Sequence, residues 1–368
     1  MDALRRASLA GWAALRQALP GLLLAIALAA LARGLAGELA AGAAGLPKFP
    51  LSPVMCAVVL GMLWRNTLGV PRWAADGLSW AMHRLLRIGI ALVGLRLTLS
   101  GATHIALTAL PVALTCLTVA LAAGLGISRL LAVPRRLGLL LAIGTAVCGC
   151  TAVVAMSPVI RARHAETAFA ITCVVLFGCL AMLFYPYLAG HFFGASPVHA
   201  GIFLGTAIHD TSQVIGAALI YSQQAAAPAA LAAASVAKLL RNLSIAVLIP
   251  AGAWLARRQA QEDSPEASER ATRAPLVPLF VLGFLGFIVL RTLGDQLWHA
   301  PLWQALINTG YTASDLFLTC GMTAVGLSVA FTDMWRIGWR PLLAGLIVAT
   351  LVGCASLGLT SALLHGLL

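Results

Sequence analysis

The sequence predicts an all-α polytopic membrane protein with about nine to eleven membrane segments, inverted repeats and two discontinuous or re-entrant helices. Three observations carry this reading. Of the 368 residues, 61% are hydrophobic and only 10% are charged, where a water-soluble chain carries roughly 25% charged residues. Mean hydropathy is +0.94. Uncharged apolar runs of about 18 residues or more recur from end to end, each long enough to cross the hydrocarbon core. An ordinary soluble enzyme is excluded.

Apolar segments fall at about 19–36, 51–64, 86–105, 107–128, 138–160, 167–189, 198–222, 229–256, 275–293, 313–333 and 341–366. One long hydrophilic insert interrupts them, RRQAQEDSPEASERATRA at 257–274, which holds four of the twelve acids and reads as a solvated cytoplasmic linker. It divides the chain into a first membrane portion, 1–256, containing both broken-helix motifs, and C-terminal membrane helices, 275–368. Arg5, Arg6 and Arg16 precede the run from Leu19 to Ala32 in the manner of a signal peptide, yet no small-residue cleavage site follows.

The net charge of +12 reports topology. Arginines sit singly or in pairs at the ends of apolar runs, and no basic stretch is interleaved with base-stacking aromatics, so nucleic acid is not an expected partner. The tail, the loops around Arg65–Arg87 and Arg129–Arg136, the pair Arg257/Arg258 and the Arg336/Arg340 turn are all expected on the cytoplasmic side. That places the N-terminus in the cytoplasm and Leu368 in the periplasm. The eight cysteines all lie within apolar segments, so neither a disulfide framework nor a metal site is expected.

Two segments resist simple alternation. Segment 138–160 has arginines at both ends, Arg135/Arg136 and Arg161/Arg163, whereas the loops flanking 198–222 carry no Lys or Arg. Re-entrant hairpins entering from opposite sides resolve both. The segments share a signature, Gly144-Thr145-Ala146-Val147 and Gly205-Thr206-Ala207-Ile208. A second echo pairs Gly89 and Val93-Gly94-Leu95 with Gly321 and Val325-Gly326-Leu327, in helices the arginines orient oppositely.

Broken hydrophobic segments point to a secondary transporter, because irregular backbone at membrane depth is tolerated only where it is buried in protein or lines a cavity. Half-helix N-termini are ready anion sites. In GTAVCGCTAVVAM the candidates are Thr145, Cys148, Gly149 and Thr151, whose small side chains leave amides uncovered; close helix packing is the alternative use of such residues. In GTAIHDTSQVIGA the candidates are Thr206, Thr211, Ser212 and Gln213, with His209 and Asp210 as proton-coupling groups. A buried carboxylate costs at least roughly 2.5 kcal/mol unless paired or wet. Its expected counterion is Lys238 in the next helix, beside Arg241 and Asn242. Arg96, Lys238 and Arg241 against Asp210 leave a buried surplus of positive charge, which a bound anion completes; the alternative for Arg96 is snorkelling to an interface, outside that core. The opposing reading is a cation/proton antiporter in which Asp210 binds the ion and Lys238 competes for it. His209-Asp210 could also serve acid/base chemistry, but no nucleophile motif or HExxH pair accompanies them, so no enzyme and no cofactor is expected.

The runs GTAVCGCTA (144–152), GTAIHDTSQV (205–214) and VAKLLRN (236–242), in this order, resemble the YeiH-like sulfate exporter family of bacterial inner-membrane proteins, from about Leu19 to Leu368. The resemblance implies export of a small inorganic sulfur oxyanion, sulfate or sulfite, across the inner membrane by a multi-pass carrier. Where the family often has Glu after the motif histidine, this chain has Asp210, followed by Thr211-Ser212 in place of smaller apolar residues. The expected partners are that anion and the lipid bilayer; a homodimer is left open, since dimerisation leaves no clear mark in the sequence.

Overall fold

The structure, a computed structural model, describes residues 2–41, 52–244, 247–248, 251, 279–298, 301–330 and 338–366. The linker at 257–274, Arg336 and Leu368 lie outside the described residues. Regular structure among them is entirely helical. In chain order the helices are α1 (Asp2–Ala41), α2 (Pro53–Thr67), α3 (Arg72–Arg96), α4 (Leu99–Leu130), α5 (Arg135–Ala146), α6 (Cys150–Val159), α7 (His164–Phe193), α8 (Pro197–Ala207), α9 (Thr211–Gln224), α10 (Pro228–Leu243), α11 (Leu279–Leu297), α12 (Pro301–Ser328) and α13 (Trp339–Leu364). Six helical runs among the described residues are long and apolar enough to span a membrane, Leu99–Leu130 and Trp339–Leu364 among them.

Local chemistry sets several boundaries. Pro53, Pro197 and Pro228 each occupy the first turn of a helix, where no N–H is needed. Ser52 caps α2 by accepting from the Met55 amide at 3.1 Å. The segments expected at 86–105 and 107–128 are corrected to 72–96 and 99–130. Thr98 caps α4 by accepting from the Gly101 amide, and Pro111 lies inside that helix without ending it. The arginine-rich stretch from Arg72 is helical because it is amphipathic: Arg72, Asp76, Ser79, His83 and Arg87 are exposed at helical spacing, while Ala74, Leu78, Ala81, Leu85 and Ile90 are buried. A π turn over Ala81–Leu85 adjusts its phase.

Two bundles result. α1, α2 and α3 pack with α11 and α12, and α4 to α10 pack with α13. The echoed glycines of α3 and α12 face each other across an antiparallel contact, Gly89 against Leu318 and Gly321 against Leu86. Arg96 ends α3 in an ion pair with Asp315 of α12 at 2.8 Å and stacks over Tyr311 at 4.9 Å. It therefore belongs to this bundle and leaves the buried surplus counted from the sequence. Where the bundles meet, Met182 of α7, Gly216 of α9 and Met322 of α12 are in contact.

Both odd segments are hairpins. Gly178 lies against Gln213 and Met182 against Gly216, so α9 runs parallel to α7. Gly201 lies against Ala230 and Ala233, and Gly205 against Ala234 and Ala237, so α8 runs parallel to α10. A three-residue turn, Ala225–Ala227, makes α9 antiparallel to α10. The chain thus enters along α8, turns at 208–210 and returns along α9. In the first segment Gly144 of α5 meets Val153 of α6, two residues nearly equidistant from the turn at 147–149, as in a second hairpin. Arg135/Arg136 and Arg161/Arg163 then share one side.

Candidate functional site

The two hairpin tips meet. Each tip presents a helix C-terminus, with unsatisfied carbonyls and negative dipole, followed by a helix N-terminus with free amides and positive dipole. The like ends are grouped and each group receives its complement from a side chain.

At the C-terminal ends the complement is Lys238 and Arg241, one turn apart on α10 and at most 1% exposed. Lys238 Nζ donates to Val147 O at 2.8 Å, to Ile208 O at 3.1 Å and to His209 O. Arg241 Nε donates to Ala146 O at 3.1 Å, Nη1 to Thr206 O and Ile208 O, and Nη2 to Thr145 O and Ala146 O. All the N–H groups of both cations are thereby taken up by carbonyls of the two turns. The expected ion pair of Lys238 with Asp210 is not formed: Lys238 is bonded to the backbone of 147 and 208–209, and the Asp210 carboxylate is bonded to Ser212.

At the N-terminal ends the complement is Asp210. Its carboxylate caps α9, accepting from the Ser212 amide at 2.9 Å and from the Ser212 hydroxyl. It also lies against Gly149, the residue before α6, where a Cβ would come within 2.8 Å of Asp210 Oδ2. Gly149 has φ +67°, a conformation that only glycine adopts without strain.

This end is open. Thr151 is exposed and Cys150, Asp210, Thr211 and Ser212 are half-buried. Asn242 Nδ2 donates to Thr211 Oγ1 at 3.2 Å, tying α10 to the start of α9. Gln213 is buried and donates to Val175 O and Cys179 Sγ. The Gln213 Oε1, Asn242 Oδ1 and both ring nitrogens of His209 are buried with no hydrogen-bond partner. His209 lines a narrow crevice with Leu141, Thr145 and Phe177.

The sequence-predicted residues are thus sorted. Gly149, Thr151, Asp210, Thr211, Ser212 and Asn242 gather at the open N-terminal ends. Lys238 and Arg241 gather at the closed C-terminal ends. Thr206 points away, its hydroxyl bonded to Ile202 O and Ser356, and Cys148 is buried in the turn. Cys150, the first residue of α6, was not singled out from the sequence; its place immediately after Gly149 is the signal that identifies it. Among the described residues no cluster of His, Cys, Asp or Glu could hold a metal ion.

The fold and this site define a polytopic α-helical membrane protein built around two opposed re-entrant hairpins. A family described as Conserved hypothetical protein 698 matches residues 20–345, and the chain belongs to it. Relatives named UPF0324 membrane proteins include those of Ralstonia nicotianae, 34% identical over 82% of this chain and 83% of that one, Bordetella bronchiseptica, 32% identical over 82% and 90%, and Bacillus cereus, 29% identical over 81% and 80%. These matches agree with the YeiH-like resemblance carried by the three motifs. No solved structure matches the chain.

Proposed function

We propose that the protein is a secondary transporter that carries a small inorganic sulfur oxyanion, sulfate or sulfite, across the inner membrane together with a proton. The observation that supports this best is the meeting of two helix N-termini around Asp210. Each N-terminus is equivalent to roughly half a positive charge, so the pair attracts about one negative charge. In the structure Asp210 supplies it. An oxyanion entering at the first turns of α6 and α9, among the amides and hydroxyls of Cys150, Thr151, Thr211 and Ser212, competes with that carboxylate for the Ser212 donors it now holds. Protonating Asp210 removes the competition, so anion and proton load together. His209, adjacent and without a partner, is the second candidate carrier of the proton.

Lys238 and Arg241 hold the two turns together and add a positive field behind the site. The hairpin bundle then moves against α1–α3, α11 and α12 across the methionine-lined contact at Gly216, exposing the tips to alternate sides. A dianion travelling with one proton carries one net negative charge. An inside-negative potential favours its exit by about 2.3 kcal/mol per 100 mV, which accords with export. On this reading the anion is unchanged and the protein is not an enzyme.

The test is counterflow of labelled sulfate and sulfite by purified protein in liposomes, with and without a pH or sodium gradient. Saturable exchange accelerated by a pH gradient is expected. Sodium or potassium flux with no anion exchange would replace the proposal with the cation/proton antiporter reading.

A further inference from the structure

A second cavity lies away from the hairpins, in the first bundle, where α2 ends and α3 begins beside the end of α12. It is an open groove of about 200 Å3, room for several water molecules or a small polar headgroup. Val70, Leu78, Met82 and Leu327 form apolar walls, and Arg65 and Ser328 are polar lining residues. Arg65 is half-buried and is absent from the ion pairs formed among the described residues, which join Arg96 to Asp315 and Arg291 to Asp295. Next to it in the chain, the Trp64 indole N–H is buried with no acceptor.

The surroundings fix the depth. Leu68 and Trp73, on either side of the α2–α3 turn, are 71% and 58% exposed. A large aliphatic and an indole turned outward beside a run of arginines mark the lipid headgroup region. A ligand for this cavity therefore combines a negative charge for Arg65 with an apolar body for the walls. A free inorganic ion lacks the second feature, and a zwitterionic lipid sets its own cation against Arg65.

We propose that this cavity is a binding site for one anionic phospholipid, with its phosphate on Arg65, its headgroup in the cavity and an acyl chain following the α2/α3/α12 surface. The lipid would clamp the three helices at the end where the basic loop emerges. This inference rests on the first bundle alone and stands whether or not the hairpins carry an oxyanion.

Native mass spectrometry of the full chain, delipidated in mild detergent and titrated with phosphatidylglycerol or phosphatidylcholine, tests it. One phosphatidylglycerol is expected to bind in preference to phosphatidylcholine. Arg65→Gln is expected to weaken it about fivefold, the effect of one basic side chain at an anionic headgroup. Arg72→Gln, exposed and outside the cavity lining, should leave binding unchanged. Ala75→Trp fills the cavity from an exposed lining position without altering charge. It should give a comparable loss, which guards against misfolding of the arginine variant. Equal binding of the two lipids, or undiminished binding to both Arg65→Gln and Ala75→Trp, overturns the proposal. Glycerol phosphate or inorganic phosphate displacing the lipid at equal concentration would also overturn it, by making the cavity a free-anion site.

Discussion

Gly149 and Asp210 come from different hairpins, yet the backbone of one lies against the side chain of the other: a Cβ on residue 149 would stand 3.0 Å from the Asp210 Cβ and 2.8 Å from its Oδ2. This contact brings the N-termini of α6 and α9 to one carboxylate. Gly149→Ala is therefore expected to act twice. The positive φ costs about 1–3 kcal/mol for a residue with a Cβ, and the added methyl pushes the tips apart. Lower thermal stability in detergent and loss of anion counterflow should appear together. Gly286→Ala, in a helix where a Cβ meets nothing within 4 Å, should change neither. Full flux in Gly149→Ala would dissociate the tip contact from transport.

Asp210→Asn keeps the shape of the carboxylate and removes its charge and titration. If Asp210 competes with the anion, the variant resembles the permanently protonated state, so anion binding should persist or tighten. Acceleration of counterflow by an imposed pH gradient should disappear. Flux that keeps its full response to the gradient would withdraw proton coupling from Asp210. His209→Asn, measured in parallel, would then show whether the histidine carries it.

Lys238→Ala should damage folding more than Asp210→Asn does. Lys238 donates to three carbonyls inside the protein; Ile208 O keeps Arg241 as a second donor, so the variant strips the donor from Val147 O and His209 O, and each buried polar group left without a partner costs about 1–3 kcal/mol. Helix propensity does not offset this, since Ala exceeds Lys by only a few tenths of a kcal/mol. A large fall in melting temperature, with residual anion affinity in whatever folds, is the expected result. A stable variant that has lost anion affinity alone would place Lys238 on the substrate, as its charge first suggests.

The hairpins were legible because polar and glycine-rich runs stood out in an apolar chain and because arginines flanked one of them on both sides. The role of Lys238 was not legible in the same way. A sequence shows charged side chains, so Asp210 was the visible partner, whereas the carbonyls of a helix C-terminus carry no letter of their own. The place of Arg96 stayed open for the complementary reason: its partner Asp315 lies 219 residues away. The start of α3 was obscured by reading Arg72 to Arg87 as loop, although their spacing places those charges on one exposed face. The place of Cys150 at the start of α6 follows from where the helix breaks, which its residue type does not signal.

The hairpin arrangement makes a labelling prediction that a crossing arrangement reverses. In the structure both ends of α5–α6 lie on one side, so Ala162, in the turn after α6, shares the side of Arg135 and Arg136. The charge rule makes that side cytoplasmic. Both ends of α8–α9 lie on the other side, so Ala226, exposed in the turn before α10, is expected to face the periplasm. With the eight native cysteines removed, Ala162→Cys should resist a membrane-impermeant thiol reagent added outside intact cells and react once the membrane is opened. Ala226→Cys should react from outside in both conditions. Two discontinuous helices passing fully across the membrane would instead carry Ala162 to the outer face. Ready external labelling at Ala162 would therefore refute the paired hairpins, and with them the meeting of the two N-termini on which the anion site depends.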